Sequence, residues 1–524
     1  MDYNIVTIII AVGFILFFAI ISVKHDIHMF QLNSYRYSRY FRWIGQGNII
    51  SATRYCALFF MLANIPVEEE YKLILLPVMI ICGYHAGYSK KTQKTPLVFT
   101  PRVKRLYTTA TAIYIAIVAT TAIFVQEYTI LVASIMLLLS DIVMLIANII
   151  NTPIEKAINR HYYNDAKKII RENKNLIIIG VTGSFGKTST KNYLANILAE
   201  KYNVLVTPGN FNTLLGVIRT IREQLRPYHQ IFIVEMGAKQ RNDIKEICDL
   251  VHPTIGIVTA VGEMHLETFK NVENIQDTKF ELINSLPANG LGVINTDSPY
   301  INNYNKITSP CKIIKYGTNK DADYRACNVE YGASGITYTL KSSTNSTEYS
   351  SHLLGTGNLL NILGATAVAD HLQVSIQKQK NAIARLQPVE HRLSMRKSGG
   401  VTVIDDAYNS NPQGARMALE VLKNFAVGKG NKRIIITPGF VEMGTRQAEA
   451  NRVLGNNIAE CADYAIIVNA TNREAIKKGL NESKMSQERY FLADSLNHAH
   501  AHLATIMKTG DVVLYENDLP DNFK

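Results

Sequence analysis

Two kinds of hydrophobic pattern divide this chain. Over roughly the first 150 residues the apolar positions come in long runs, while beyond about residue 173 short β-branched runs alternate with stretches of helical period. Ile5–Val23 is a 19-residue run without a charge, long enough to cross a bilayer core. Four more candidate spans follow at 49–67, 73–88, 106–125 and 129–150. Arg54 interrupts the second and the third is short, so this pair also fits a re-entrant hairpin. No basic region precedes the first run and no small-residue cleavage site follows it, which argues for a span over a signal peptide. A helical transmembrane domain is therefore expected over residues 1–150. Residues 151–175, where Ile154, Ile158, Tyr162, Ile169 and Ile170 are mixed with many charges, are expected as an amphipathic connector near the membrane surface.

The second pattern predicts an α/β fold. The run Ile177–Val181 reads as a buried parallel strand, and further strands are expected at 203–207, 230–235, 255–261 and 290–295 with helices between them. That alternation implies a mostly parallel sheet, and ligands of such sheets bind beyond the carboxyl ends of the strands. Polar residues just after each strand are the ones to inspect.

Charge refines the membrane half. The formal net charge is +12, but six of the cations (Lys90, Lys91, Lys94, Arg102, Lys104 and Arg105) fall in one segment between apolar spans, with no acid among them. That is a topology signal and not a nucleic-acid footprint. Lys24, Arg36, Arg39 and Arg42 follow the first span, whereas Glu68, Glu69, Glu70 and Glu127 occupy the other connections. Five spans with the N-terminus outside would place every basic loop, and the α/β half, in the cytoplasm. Asp141, deep in the fifth span, is a functional intramembrane acid, a bond to a neighbouring helix or a residue near a polar kink. The six scattered cysteines suggest neither a disulfide framework nor a zinc site.

The chemistry begins at Val181-Thr-Gly-Ser-Phe-Gly-Lys-Thr-Ser189, where the first strand breaks into a glycine turn and then a helix. Such a turn lets backbone N–H groups approach phosphate oxygens, and the helix N-terminus adds partial positive charge. Thr182, Gly183, Ser184, Gly186 and Ser189 would line the cradle, Lys187 would reach the β/γ-phosphates, and the Thr188 hydroxyl would hold Mg²⁺. Val181 stands where the usual spacing has a glycine, so the match is to a shorter loop. Glu235 ends its strand and suits a Mg²⁺ shared with Thr188 and a triphosphate. His265, after the next strand, can be a second metal ligand or orient a carboxylate; a lone loop histidine is otherwise a surface residue. By composition Lys279 is an ordinary helix lysine.

Several spaced stretches, in one order, carry a resemblance. Besides 182–188 they are Gly209-Asn-Phe-Asn-Thr213, Val234-Glu-Met-Gly-Ala238, 262–267, Thr278-Lys-Phe-Glu281, Gly357-Asn-Leu-Leu-Asn361, His391-Arg392, Asp405-Asp-Ala-Tyr-Asn-Ser-Asn-Pro412 and Thr437-Pro-Gly439. The chain resembles the Mur ligases, ATP-dependent amide ligases of bacterial cell-wall synthesis, and among them those that add D-alanyl-D-alanine. The resemblance implies a central ATP-binding domain of P-loop type over 176–386 and a Rossmann-like C-terminal domain over 387–524. It implies Glu235 and His265 as magnesium ligands and Lys279 as a carbamylated lysine supporting a second Mg²⁺. Asn358 and Asn361 would contact the nucleotide, Arg392, Asp405 and Asp406 its ribose and phosphates, and Tyr408, Asn409 and Asn411 would shape the cleft. Lys187, Lys279, His265 and Arg392 would be the catalytic set.

The implied reaction activates a carboxylate as an acyl phosphate and joins it to an amino acid or dipeptide. The acceptor is expected to be a small-molecule or lipid-linked cell-wall precursor, because membrane spans stand where the family's soluble members grip a UDP-sugar. Gly357 replaces a frequent histidine, and the C-terminal stretch 511–520 stands in place of a usual Lys-Gly-Ser-Arg after the last strand, which bears on the choice of amine. A ligase for another polymer, such as poly-γ-glutamate, shares the same core. An ATP-driven transporter is disfavoured by a single ATPase core, and a silent scaffold by the presence of Lys187, Glu235 and Asp406. His498, His500 and His502 look like a metal motif, but on a helix only His498 and His502 share a face, so a solvated helix is expected instead.

Overall fold

The computed structural model describes residues 3–33, 35–45, 57, 96–264, 266–332, 334–343, 345–408 and 411–518. It divides into two units, Met1–His161 and Tyr162–Lys524.

The first unit contains α1 (Tyr3–Leu32), α2 (Tyr37–Trp43), α3 (Pro101–Phe124), α4 (Thr129–Leu138) and most of α5 (Ser140–Glu172). Helix α3 starts where Thr100 accepts a hydrogen bond from the Val103 N–H and Pro101 pre-sets the first helical φ. Ile15, Phe18, Leu106, Tyr114, Leu137 and Met144 form its core, while Ile9, Phe17, Ile123 and Phe124 remain exposed on the outside. Helices apolar on both faces suit a lipid surround. Ile9–Leu32 and Pro101–Phe124 are each long and apolar enough to cross a membrane, in line with the expected spans at 5–23 and 106–125. The expected spans at 49–67 and 73–88 lie outside the described residues.

The expected span at 129–150 is not one helix. The chain breaks at Leu139, and the segments on either side meet at 78°. A polar contact accompanies the break: the Ser140 hydroxyl donates to Asp26 Oδ2 at 2.6 Å, both side chains being buried. Asp141 lies in the first turn of α5, where the helix dipole favours an acid. Most of the expected connector at 151–175 is the second half of α5, which runs unbroken through Pro153 to Glu172.

The second unit holds two sheets. The first has nine strands in the order β2-β3-β1-β4-β5-β6-β7-β8-β9: β1 (Ile177–Thr182), β2 (Val204–Val206), β3 (Ile231–Met236), β4 (Ile255–Val258), β5 (Leu291–Asn295), β6 (Lys312–Gly317), β7 (Tyr324–Gly332), β8 (Gly335–Lys341) and β9 (Ser346–Ser351). Strands β1 to β7 pair in parallel and β7-β8-β9 are antiparallel, so the parallel part carries an antiparallel extension. The second sheet has six strands, with β10 (Ser394–Ser398) antiparallel to β11 (Val401–Asp406) and the remaining pairs parallel. They are β12 (Arg433–Thr437), β13 (Tyr464–Val468), β14 (Tyr490–Ala493) and β15 (Val512–Glu516).

Burial explains the strand composition. Every residue of β3, β4 and β5 is buried, so these strands read as continuous apolar runs and not as alternation. Helix α6 (Lys187–Leu198) packs Tyr193, Leu194, Ile197 and Leu198 into the same core as Leu359, Ile362 and Leu363 of α10 (Gly355–His371). Between α6 and α10 come α7 (Leu214–Gln224), α8 (Asp243–Val251) and α9 (Val272–Asn284). The last turns of α5 lie on this unit: Ala166 and Ile170 pack with Ile178, Val217 and Ile218, and Asp165 accepts a 2.6 Å hydrogen bond from Arg222. Thr182 is level with Met236 and Val258 in the register, so the segments after β1, β3 and β4 emerge along one edge.

Candidate active site

The glycine turn after β1 is built by close approach. A Cβ at Gly183 would fall 2.1 Å from Thr259 Oγ1, and Gly186, at φ 80°, caps α6 in a left-handed conformation. The Ser184 N–H donates to the Ala260 carbonyl at 2.7 Å and its hydroxyl donates to the Gly262 carbonyl at 3.0 Å, tying the turn to the loop after β4. Thr182 donates its hydroxyl to the Met236 carbonyl at 2.8 Å. Lys187 folds back over the turn, its ammonium donating to the carbonyls of Gly183 at 2.8 Å and Ser184 at 3.0 Å. Burial pushes this lysine down to about 8, with Glu235 resisting and Arg392 adding to the fall. Thr188 and Ser189 are buried in the first turn of α6.

Glu235, 1% exposed at the end of β3, is gripped from two sides. Asn212 Nδ2 donates to Oε1 at 3.0 Å, and the Lys191 ammonium stands 3.1 Å from Oε2. Lys191 meets Oε2 as an ion pair, and among the described residues no second donor reaches that buried oxygen. Burial alone would raise the Glu235 carboxyl, but Lys191, Lys187 and Asn212 hold it below the ordinary range, and it is ionised at neutral pH. The open acceptor on Oε2, with the Thr188 hydroxyl in the neighbouring turn, fits a hard divalent cation. Among the described residues no group of three or more His, Cys, Asp or Glu could hold a metal by itself. From the described residues a cation here would have one carboxylate, a hydroxyl oxygen and a phosphate. His265 lies outside the described residues, as does Asn409.

Lys279 is the departure from its composition. It sits inside α9 and is 4% exposed, and burial together with Lys187 pushes it down to about 7 against the pull of Asp243 and Glu281. An amine with that value is substantially neutral near pH 7, the form that adds CO₂.

The C-terminal lobe brings a second set. The Asp405 carboxylate pairs with His391 Nδ1 at 2.7 Å, and Asp406 accepts the Leu393 N–H at 3.0 Å. Burial pushes Asp406 up to about 6, and Glu516, its register neighbour on β15, hydrogen-bonds it. Arg392 lies over the Tyr408 ring at 4.5 Å and weighs electrostatically on Lys187, Lys191 and Asp406. His391 and Leu393 flank it at φ 59° and 48°, so Arg392 is presented from a strained segment. Asn411 caps the helix Pro412–Asn424 by accepting the Gly414 N–H. A further ion pair joins the lobes: Arg446 donates to Glu263.

The structure thus gathers Thr182, Gly183, Ser184, Gly186, Lys187, Thr188 and Glu235 at one sheet edge. Asn361 reaches the turn, accepting the Thr190 hydroxyl at 3.1 Å and lying where a Cβ on Gly186 would strike it at 2.5 Å. Asn358 is held deeper, accepting the Tyr193 hydroxyl at 2.8 Å and donating to the Leu354 carbonyl at 2.9 Å. His498 and His502 are spent on aromatic contacts: His502 stacks on Phe491 at 3.7 Å, and His498 meets the same ring edge-on. Sequence reasoning missed Lys191 and gave no role to Asn212, the two residues that grip Glu235. The one available signal for Lys191 was its place four residues after Lys187, on the same helix face.

Comparison with known proteins agrees with this geometry. Residues 181–369 match the Mur ligase middle domain, and residues 391–515 match the Mur ligase glutamate ligase domain. The UDP-N-acetylmuramoyl-tripeptide–D-alanyl-D-alanine ligase of Haemophilus influenzae is 29% identical over 362 residues, 68% of this chain and 74% of that protein. The ligase of the same name from Mycobacterium tuberculosis is 35% identical over 250 residues, 47% of this chain, and the match spans 49% of the relative's length. The crystal structure of MurF ligase from Thermotoga maritima in complex with ADP superposes with a TM-score of 0.60 at 27% identity, covering 68% of this chain and 80% of that one.

Proposed function

The chain belongs to the Mur ligase family, and from that premise we propose that it is an ATP-dependent amide ligase of cell-wall synthesis that joins D-alanyl-D-alanine to a muramoyl-peptide precursor. The observation that carries this reading is one edge holding a phosphate turn with Lys187, a buried ionised Glu235 and a buried, partly neutral Lys279, faced by Arg392 and Asp406 from a second lobe.

In this reading Lys187 and the turn's N–H groups hold the triphosphate while a substrate carboxylate takes the γ-phosphoryl group in line, leaving ADP and an acyl phosphate. The incoming amine attacks the activated carbonyl, and phosphate departs from the tetrahedral adduct. Arg392 and Lys187 meet the negative charge that builds on the phosphoryl oxygens. Thr188, Glu235 and His265 would hold magnesium and a carbamylated Lys279 would support a second ion, and the chemistry supplied would be charge neutralisation at the phosphates. Asn361 would steady the nucleotide side of the turn. The two lobes have to close on each other for these groups to act together.

The membrane part extends the proposal. Two helices, or three if the bent pair is one span, are long and apolar enough to cross a bilayer. We place them in the cytoplasmic membrane, with the catalytic unit on the cytoplasmic side, where ATP is. The acceptor is then either UDP-linked or lipid-linked. One observation favours testing a second amine: Glu516 lies buried against Asp406 where the family resemblance led to a lysine-containing stretch.

The test is phosphate release by the full chain with ATP, Mg²⁺ and D-alanyl-D-alanine, supplied in parallel with the UDP-linked and the lipid-linked muramoyl tripeptide. Turnover that requires both carboxylate and amine supports the ligase; ATP hydrolysis indifferent to both removes it. Turnover with the lipid-linked form alone would make the spans part of the acceptor site.

A further inference from the structure

Lys191 is a second lysine on the phosphate helix, one turn beyond Lys187, and nothing in the proposed chemistry uses it. It is 1% exposed. Its ammonium donates to the carbonyls of Thr207 and Gly209, each at 2.8 Å, and stands 3.1 Å from Glu235 Oε2. It therefore ties three segments together: helix α6, the loop after β2 and the end of β3. That loop runs on to Asn212, whose amide donates to the other Glu235 oxygen at 3.0 Å, and the Glu235 N–H returns a hydrogen bond to Thr207 Oγ1 at 3.1 Å. The carboxylate is fixed in aim before any ligand arrives, and its charge is already balanced.

We propose that Lys191 is a positioning residue that serves Glu235 as a built-in counter-charge, so that the divalent cation is admitted to Glu235 together with the nucleotide phosphates and not ahead of them. The reasoning is electrostatic. A dication approaching Glu235 alone meets a neutral ion pair with Lys187 close by, and the nearby cations oppose it. Phosphate oxygens arriving at Lys187 and the turn add the negative charge that makes the dication welcome. Binding of metal and nucleotide is then reciprocally coupled, and Lys191 sets the strength of the coupling. The inference rests on the reading of Thr188 and Glu235 as the metal holders.

The experiment measures Mn²⁺ binding to the full-length protein by electron paramagnetic resonance of the free ion, with and without saturating ADP. The wild type is expected to bind Mn²⁺ at least about tenfold more weakly without ADP than with it. Lys191→Met is expected to bind Mn²⁺ about tenfold more tightly without ADP and to lose most of the coupling. Lys191→Gln keeps a donor for the two carbonyls while removing the charge, and is expected to do the same. If Lys191 merely pinned the three segments, its loss would loosen Glu235 and leave nucleotide-free Mn²⁺ binding weaker or unchanged in a variant that still melts cooperatively, and that result overturns the proposal. Should neither variant fold, the wild type decides once the Mn²⁺ that ADP chelates in a protein-free control is subtracted: protein-bound Mn²⁺ as tight without ADP as with it also overturns it, and a tenfold difference beyond that control supports it. Absence of Mn²⁺ binding even with ADP would remove the metal reading of Glu235 itself, and this inference with it.

Discussion

At the scale of single residues, burial changes what a side chain is. Lys279 lies at about 7 instead of 10.5 because its charge is desolvated and Lys187 repels it. The neutral amine grows as pH rises through 7, so a carbamate on Lys279 should be present at pH 8 and largely lost at pH 6. With ¹³C-bicarbonate the carbamate resonance should follow that course and vanish in Lys279→Ala, which should also be inactive. A resonance that survives in Lys279→Ala, or full activity of that variant, would exclude the modification. The same shift acts on stability. Between about 7 and 10.5 the unfolded chain binds more protons at this position than the folded one, so this group's contribution becomes more favourable as pH rises across that window. The resemblance carried by Thr278-Lys-Phe-Glu281 implied the carbamate, but the burial and the lowered pKa behind it were not legible there, because a lysine on a helix reads as solvated until the packing of α9 is known. Glu235, by contrast, was legible from its place at the end of an apolar strand.

At the scale of elements, the turn between β1 and α6 decides the site. Gly186 sits at φ 80° with Asn361 2.5 Å from where a Cβ would be. Gly186→Ala must both adopt a left-handed conformation and displace that amide. The expected outcome is a loss of about 1–2 kcal/mol in chemical denaturation together with a weaker ADP affinity in calorimetry. Unchanged ADP binding would show that the turn does not cradle phosphate. The strand, turn and helix were readable because three local signals agree there: a β-branched run, glycines, and 3.6-residue periodicity. The antiparallel extension β7-β8-β9 escaped notice, since its half-exposed strands carry polar residues such as Ser346, Glu348 and Ser350 and its pairing is set by distant neighbours. The break at Leu139 escaped for a similar reason. An apolar run announces that it can span, but a buried contact between Ser140 and Asp26 connects residues far apart in sequence.

At the scale of the whole molecule, the proposed function has two lobes of the catalytic unit meeting. Arg446 donates to Glu263 across them, and its guanidinium side chain is more than half exposed. An exposed pair adds little to stability, so Arg446→Ala should leave the melting temperature within about a degree while raising KM for ATP about threefold at low salt, an effect that fades as salt screens it. A change in melting temperature without a change in KM would make the pair structural only. The sequence by itself determined the two classes of segment, the phosphate turn, the positions of the first strands along the chain and the family, because each is written in local periodicity or in contiguous motifs. Only the tertiary structure decided that Lys279 and Lys191 are buried, that Glu235 is held between an amide and an ammonium, that Asn358 turns away towards Tyr193, and that α5 runs on unbroken into the catalytic unit. Those outcomes depend on desolvation and on charges brought together from distant parts of the chain, and neither quantity exists until the chain has folded.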